Sequence, residues 1–265
     1  MAGLGQGATR RTSPYDERMQ VLEHATPFHA GIGRIGVLFC HGFTGSPWSL
    51  LEWARLTADA GYRVALPRLP GHGTSWQELN VTHWRDWYAA VEREYRELSA
   101  ACDQVFVAGL SMGGALALRL AEKHPGGVAG LILVNPAVVG YPNTRAIPLL
   151  SKVLPSAKAI GSDIAQPGVD EYSYERTPLR AAHSMLRLWA DVRACLDLVT
   201  CPVLVYRSTT DHVVPAASTQ YILSHISSEE VSEQLLHRSY HVATMDHDKE
   251  EIFAGALEFL QQHSA

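Results

Sequence analysis

Gln104 to Gly114, QVFVAGLSMGG, joins a continuous apolar run to a helix-forming one, ALALRLAEKH, through a Gly-x-Ser-x-Gly turn. Apolar residues without polar alternation read as a strand buried on both faces. At the tip of such a turn Ser111 takes an unfavourable backbone conformation, and Gly109 and Gly113 leave room where its flanks converge. The hydroxyl then stands alone at the carboxyl end of a strand. A bare Gly-x-Ser-x-Gly arises by chance on the order of 0.1 times in a chain of this length, so the strand before it and the helix after it carry the weight. A capping serine in a glycine-rich turn is the plain alternative.

Outward from this turn the same rhythm repeats. GVLFC (36–40), YRVALP (62–67), VAGLILV (128–134) and PVLVYRS (202–208) read as further strands, with a weaker one at 234–237. Between them Trp84, Trp87, Tyr88, Val91, Tyr95 and Leu98 fall at helical spacing behind a candidate N-cap at Thr82. Strand then helix, repeated, predicts a mostly parallel, doubly wound α/β sheet with helices on both faces and its site at the carboxyl ends of the strands. Residues 136–195 break the rhythm with Pro142, Pro148, Pro155, Pro167 and Pro178, and read as a small helical cap inserted into a core formed by 19–135 and 196–265. Residues 1–18, rich in Gly, Thr and Arg, read as a loose arm.

Composition narrows the function. With 265 residues, 46% hydrophobic and 18% charged, the chain can bury one sizeable core. A formal charge of -5 and the lack of a basic block argue against a nucleic-acid partner. The longest apolar stretch, 128–139, is broken by Asn135 and Pro136, so no transmembrane segment is expected. The first residues lack the apolar core of a secretory signal, and a cytoplasmic protein is expected. Cys40, Cys102, Cys195 and Cys201 show no CxxC spacing and read as free thiols. His237 and His241 have no second ligand cluster, so no metal is implied. Gly31 to Gly36 matches GxGxxG but precedes a strand, which argues against a dinucleotide cofactor. Asn80-Val81-Thr82 has the form of a glycosylation sequon and is read as chance.

A serine hydroxyl needs an imidazole to take its proton, and the imidazole needs an acid to hold its tautomer. On this kind of sheet the order along the chain is Ser, acid, His, each on a loop after a strand. That order removes His24, His41, His72 and His83 from the 13 histidines. Asp211, in the TTDHVVP loop, is the expected acid, and His241, in SYHV, the expected base. His212, His237 and His247 are the alternatives for the base, and a turn aspartate and a structural histidine are the plain readings of the pair. Backbone N–H groups of Met112 and Phe43 are expected to form the oxyanion hole, with His41 and Gly42 shaping the loop. Leu69 to Gly73, LPGHG, reads as a structural turn. A base with an imidazole pKa near 6.5 predicts that kcat/KM rises through about pH 6 to 7.

HGFTGSP (41–47), LPGHG, GLSMGG, TTDHVVP and SYHVATMDHDKE (239–250), with Gly161-Ser162-Asp163-Ile164 and Tyr174-Glu175-Arg176-Thr177-Pro178, resemble the bacterial monoacylglycerol lipase and carboxylesterase group of α/β-hydrolases. The likeness runs from residue 19 to about 263 and departs at Thr210, where many relatives carry an acidic residue or proline. It implies an α/β-hydrolase fold with the cap inserted after the sixth strand, a Ser111, Asp211, His241 triad, and an acyl tunnel beneath the cap. It further implies that Glu171 holds the glycerol hydroxyls, against the alternatives of a solvated carboxylate or one paired with Arg176. Ile160 lines the acyl path in the same likeness, unless it merely packs. The activity so implied is cofactor-free hydrolysis of medium- to long-chain monoacylglycerols to glycerol and fatty acid. A broad carboxylesterase for short-chain esters and a slow-turnover small-molecule receptor are the alternatives. The expected partner is a lipid ester, with at most transient membrane contact through the cap. The sequence carries no signal for an oligomeric state.

Overall fold

The computed structural model describes residues 21–264, so the arm expected at 1–18 lies outside the described residues. In chain order the first part comprises β1 (Phe28–Ala30), β2 (Ile35–Cys40), α1 (Trp48–Asp59), β3 (Arg63–Leu66), α2 (Trp76–Leu79), α3 (Trp84–Ala101), β4 (Gln104–Leu110), α4 (Met112–Lys123) and β5 (Gly130–Val134). There follow α5 (Ile147–Leu150), β6 (Ser156–Lys158), β7 (Arg176–Pro178), α6 (Leu179–Arg193), β8 (Val203–Ser208), α7 (Ala216–Leu223), β9 (Val231–Leu236) and α8 (Lys249–His263). The main sheet runs β1-β3-β2-β4-β5-β8-β9. Its pairings are parallel apart from β1 on β3.

Both faces of the central sheet are covered, which is why β2, β4 and β5 are apolar without alternation. Val105, Val107, Leu131 and Leu133 pack against α3 and α4 through Trp87, Val91 and Leu116. Their neighbours Phe106, Ala108, Ile132 and Val134 turn the other way, onto Trp53 of α1 and Phe253 and Leu260 of α8. Each fully buried aliphatic or aromatic side chain contributes about 1.5–3 kcal/mol. The central strands thereby form the rigid base from which the loops at their carboxyl ends project. Among the described residues no helix is long and apolar enough to cross a membrane.

Several expectations are corrected. α3 starts one residue later than a Thr82 cap requires: the backbone N–H of His83 donates to Asp86 Oδ2 at 2.8 Å. Thr82 Oγ1 instead accepts the Trp87 indole N–H at 2.9 Å. β1 was not expected, because three half-buried edge residues carry no hydrophobic period. The excursion from the sheet leaves after β5, the fifth described strand and not the sixth. It is not purely helical either. β6 and β7 form an antiparallel ribbon, with Ser156 opposite Pro178 and Lys158 opposite Arg176. Strands this short leave no alternation to read. α6 closes the excursion and is tied to α4 by Arg119, whose Nη2 lies 2.8 Å from Asp191 Oδ2.

Candidate active site

Ser111 separates β4 from α4 with φ 56° and ψ -118°. A non-glycine residue held there costs about 1–3 kcal/mol, so its surroundings must fix it. They do so through the backbone: Ser111 N–H donates to Val134 O at 3.0 Å, and Ser111 O accepts from Gly114 N–H at 2.9 Å and Ala137 N–H at 3.1 Å. A Cβ on Gly113 would lie 1.9 Å from Cys40 O, and one on Gly109 would lie 2.5 Å from Gly113 O. The two flanking glycines are therefore steric requirements of the turn.

Asp211 follows β8, and its carboxylate divides its work. Oδ1 accepts the N–H groups of Val213 and Val214 at 2.8 and 2.7 Å. Oδ2 lies 2.7 Å from His241 Nδ1, with both side chains 7% exposed. A proton shared on that side leaves the Nε2 lone pair for another partner. Ser111 and His241 line one cavity of ≈ 220 Å³ beneath the excursion. A larger hollow of ≈ 450 Å³, between His24, Trp48 and Tyr172, includes none of Ser111, Asp211 and His241.

Burial opposes charging of His241, but Asp211, with Glu171 and Asp163 behind it, outweighs burial and raises its pKa. The expectation of an ordinary imidazole is thus corrected, since three carboxylates surround the ring. A histidine acting as general base works as the neutral imidazole, and a raised pKa keeps His241 protonated to higher pH. The acidic limb of kcat/KM is expected to be centred above pH 6.5; a pH–rate profile with its midpoint at or below 6.5 contradicts this.

Met112, the first residue of α4 and fully buried, has one of the N–H groups that a helix leaves without an internal acceptor. Phe43 lies in the loop after β2 and lines the same cavity, its ring against Trp87 at 5.8 Å. Beneath that loop His41 is fully buried, which lowers its pKa to about 4. Its Nε2 accepts the Leu69 N–H at 3.1 Å, so Nδ1 carries the proton and donates to Gly42 O at 3.0 Å. His41 thus joins the loop after β2 to LPGHG.

Glu171 lines the cavity and is 7% exposed, and burial pushes its pKa up to about 7. A Cβ on Gly45 would lie 2.5 Å from its Oε1, so glycine there makes room for the carboxylate. Arg176, the partner considered from sequence, instead donates from Nε to Ser156 Oγ at 2.8 Å. Ile160 is 68% exposed yet contributes to the cavity wall. Ile147, Met185, Trp189, Val213 and Val214 make the wall largely apolar. Asp163 and Tyr141 also line it and were not picked out from the sequence as site residues, as does His212, which had been weighed only as an alternative base. The Gly161-Ser162-Asp163-Ile164 motif was the available signal for Asp163. Among the described residues no group of His, Cys, Asp or Glu could hold a metal ion.

The family described as serine aminopeptidase, S33, matches residues 34–248. A thermostable monoacylglycerol lipase of Bacillus sp. (strain H-257) is 44% identical over 249 residues, 94% of this chain and 99% of the relative. A carboxylesterase of Bacillus subtilis (strain 168) is 27% identical over 238 residues, 89% of this chain and 96% of the relative. Among solved structures, one described with LipS and LipT, two metagenome-derived lipolytic enzymes, superposes with a TM-score of 0.89 at 41% identity, covering 92% of this chain and 100% of that one.

Proposed function

The chain belongs to the serine aminopeptidase, S33, family and has the α/β-hydrolase fold, and from that premise we propose that it is a serine hydrolase of medium- to long-chain monoacylglycerols. The observation that carries this reading is a buried carboxylate, Glu171, in a largely apolar cavity that also holds Ser111 and His241. An apolar wall suits an acyl chain, and one carboxylate suits the vicinal hydroxyls of glycerol. The 44% identity to a thermostable monoacylglycerol lipase supports the same reading.

In this mechanism Ser111 Oγ attacks the ester carbonyl carbon while His241 Nε2 takes its proton. The oxyanion accepts the N–H groups of Phe43 and Met112, a contribution of about 3 kcal/mol per donor. Collapse breaks the ester C–O bond, glycerol leaves with the proton held by His241, and the acyl group stays on Ser111. Water then repeats the sequence and releases the fatty acid. Ile160 guides the acyl chain at the cavity mouth.

The enzyme acts in the cytoplasm in this reading, with transient contact between the cap and lipid. Leu149 (70% exposed), Val153 (74%) and Ile160 (68%) supply apolar surface for that contact. A short-chain carboxylesterase is the second reading, favoured by a cavity of ≈ 220 Å³, below the roughly 300 Å³ at which ligand sites usually begin. Glu171→Gln separates the two. We expect kcat/KM for a monoacylglycerol to fall about tenfold, as for loss of a hydrogen bond to a charged group, with little change for a short-chain aryl ester. Removing this negative charge also moves the acidic limb to lower pH, because Glu171 helps to raise the His241 pKa. Equal loss on both esters would favour the carboxylesterase.

A further inference from the structure

Asp163 lies between β6 and β7 and is 8% exposed. Its Oδ1 is 2.8 Å from His212 Nδ1, while Oδ2 accepts the backbone N–H groups of His212 at 3.1 Å and of His241 at 3.2 Å. The Asp163 carbonyl accepts the Val242 N–H at 3.0 Å. Fully buried Asp246 fastens Ala165 and Gln166 to the same loop: Oδ2 accepts the N–H groups of Ala165 and Tyr240 at 2.7 and 2.9 Å, and Oδ1 that of Gln166 at 3.0 Å. On the other side Asn135, at the end of β5, donates to His241 O at 2.8 Å and accepts the Ser208 N–H at 2.8 Å. The His241 peptide is thus gripped at its N–H by the cap and at its C=O by the sheet.

We infer that Asp163 is a positioning residue for the hydrolysis: its carboxylate draws the loop of the acid and the loop of the base together beneath the cap, so that His241 reaches its working position when this cap segment is seated. The inference rests on the reading of His241 as the base and goes beyond it by giving the cap a part in base alignment. A buried carboxylate receiving two N–H groups and an imidazole is well satisfied, and replacing it leaves buried donors unpaired. Displacement of a reacting group by about 1 Å lowers rates on the order of 100-fold, so a brace on the base's own peptide has catalytic leverage.

Its charge gives this brace a signature that a purely mechanical one lacks. The ionisable groups facing His241 are Asp211 on its ring and Glu171 and Asp163 from the cap. His212 stands beside Asp163, and Tyr141 donates its hydroxyl to Asp211 O at 2.7 Å. Asp163 contributes to the raised pKa of His241, after Asp211 and Glu171. Loss of its charge therefore shifts the acidic limb to lower pH.

The test compares the parent chain with Asp163→Asn and Asp163→Glu on a monoacylglycerol and on a short-chain aryl ester, across pH. For Asp163→Asn we expect kcat to fall about 10- to 100-fold on both esters, KM to change less than about threefold, and the limb to move to lower pH. Asp163→Glu retains the charge but displaces it; it should show an intermediate kcat and a limb close to the parent's. Parent-like kcat and limb in both variants would overturn the inference while leaving the hydrolase reading intact. A lowered melting temperature without change in kcat or limb overturns it too, because that is what a structural brace alone would give. If Asp163→Asn does not fold, Asp163→Glu decides: a reduced kcat with a parent-like limb supports the inference, and an unchanged kcat overturns it. No turnover by the parent chain removes the hydrolase reading itself.

Discussion

Ser111→Ala is expected to lower kcat for ester hydrolysis by on the order of a million-fold, to the rate left by binding and oxyanion stabilisation alone. In the proposed mechanism the hydroxyl forms the acyl-enzyme, and no second serine stands on the elbow between β4 and α4. The variant should fold normally, since the contacts holding residue 111 at φ 56° come from its backbone N–H and C=O. Initial rates beside a melting curve check this. A folded variant with more than about 1% of parent activity contradicts Ser111 as the nucleophile, as does a reactive phosphonate that labels another residue.

Asp211→Asn is expected to lower kcat about ten-thousand-fold with the fold intact. The two oxygens of Asp211 are not equivalent. Oδ1 receives the Val213 and Val214 N–H groups, which only an oxygen can accept. The amide nitrogen of an asparagine must therefore face His241 Nδ1, in place of the oxygen now 2.7 Å away. Two donors cannot share that contact, so Nδ1 gives up its proton and Nε2 carries it. The imidazole is then in the tautomer that cannot take a proton from Ser111. Because Oδ1 keeps its partners, the loop should survive and kcat should fall with little change in melting temperature. A loss of less than about tenfold would mean that Asp211 does not control the His241 tautomer.

Much of this architecture is legible along the sequence, because its signals are local. QVFVAGLSMGG carries in 11 consecutive residues the buried strand, the strained turn and the helix start found around Ser111. Asp211 and His241 follow β8 and β9 in the chain order expected for an acid and a base on this type of sheet, and the structure brings their side chains together. Strands of three residues are another matter. β1, β6 and β7 are held by partners and not by their own pattern, which is why β1 carried no signal and the cap read as helical.

The electrostatics of the base was equally hidden. Asp163 lies 49 residues before His212 and 78 before His241, and Glu171 approaches His241 only through the cap. No spacing rule connects residues that far apart, so the carboxylates that raise the pKa of His241 emerge only when the chain is folded. Glu171 illustrates the mixed case. The resemblance singled it out and it lines the cavity of Ser111 and His241, whereas the room made for it by Gly45 and its pKa of about 7 are tertiary facts.

The most direct measurement is the initial rate of glycerol release from monolauroylglycerol, set against hydrolysis of a short-chain aryl ester and of a triacylglycerol emulsion. A higher kcat/KM for monolauroylglycerol than for the aryl ester, with the triacylglycerol poor, is the predicted result. Turnover of the aryl ester without glycerol release would contradict monoacylglycerol hydrolysis and leave a general carboxylesterase.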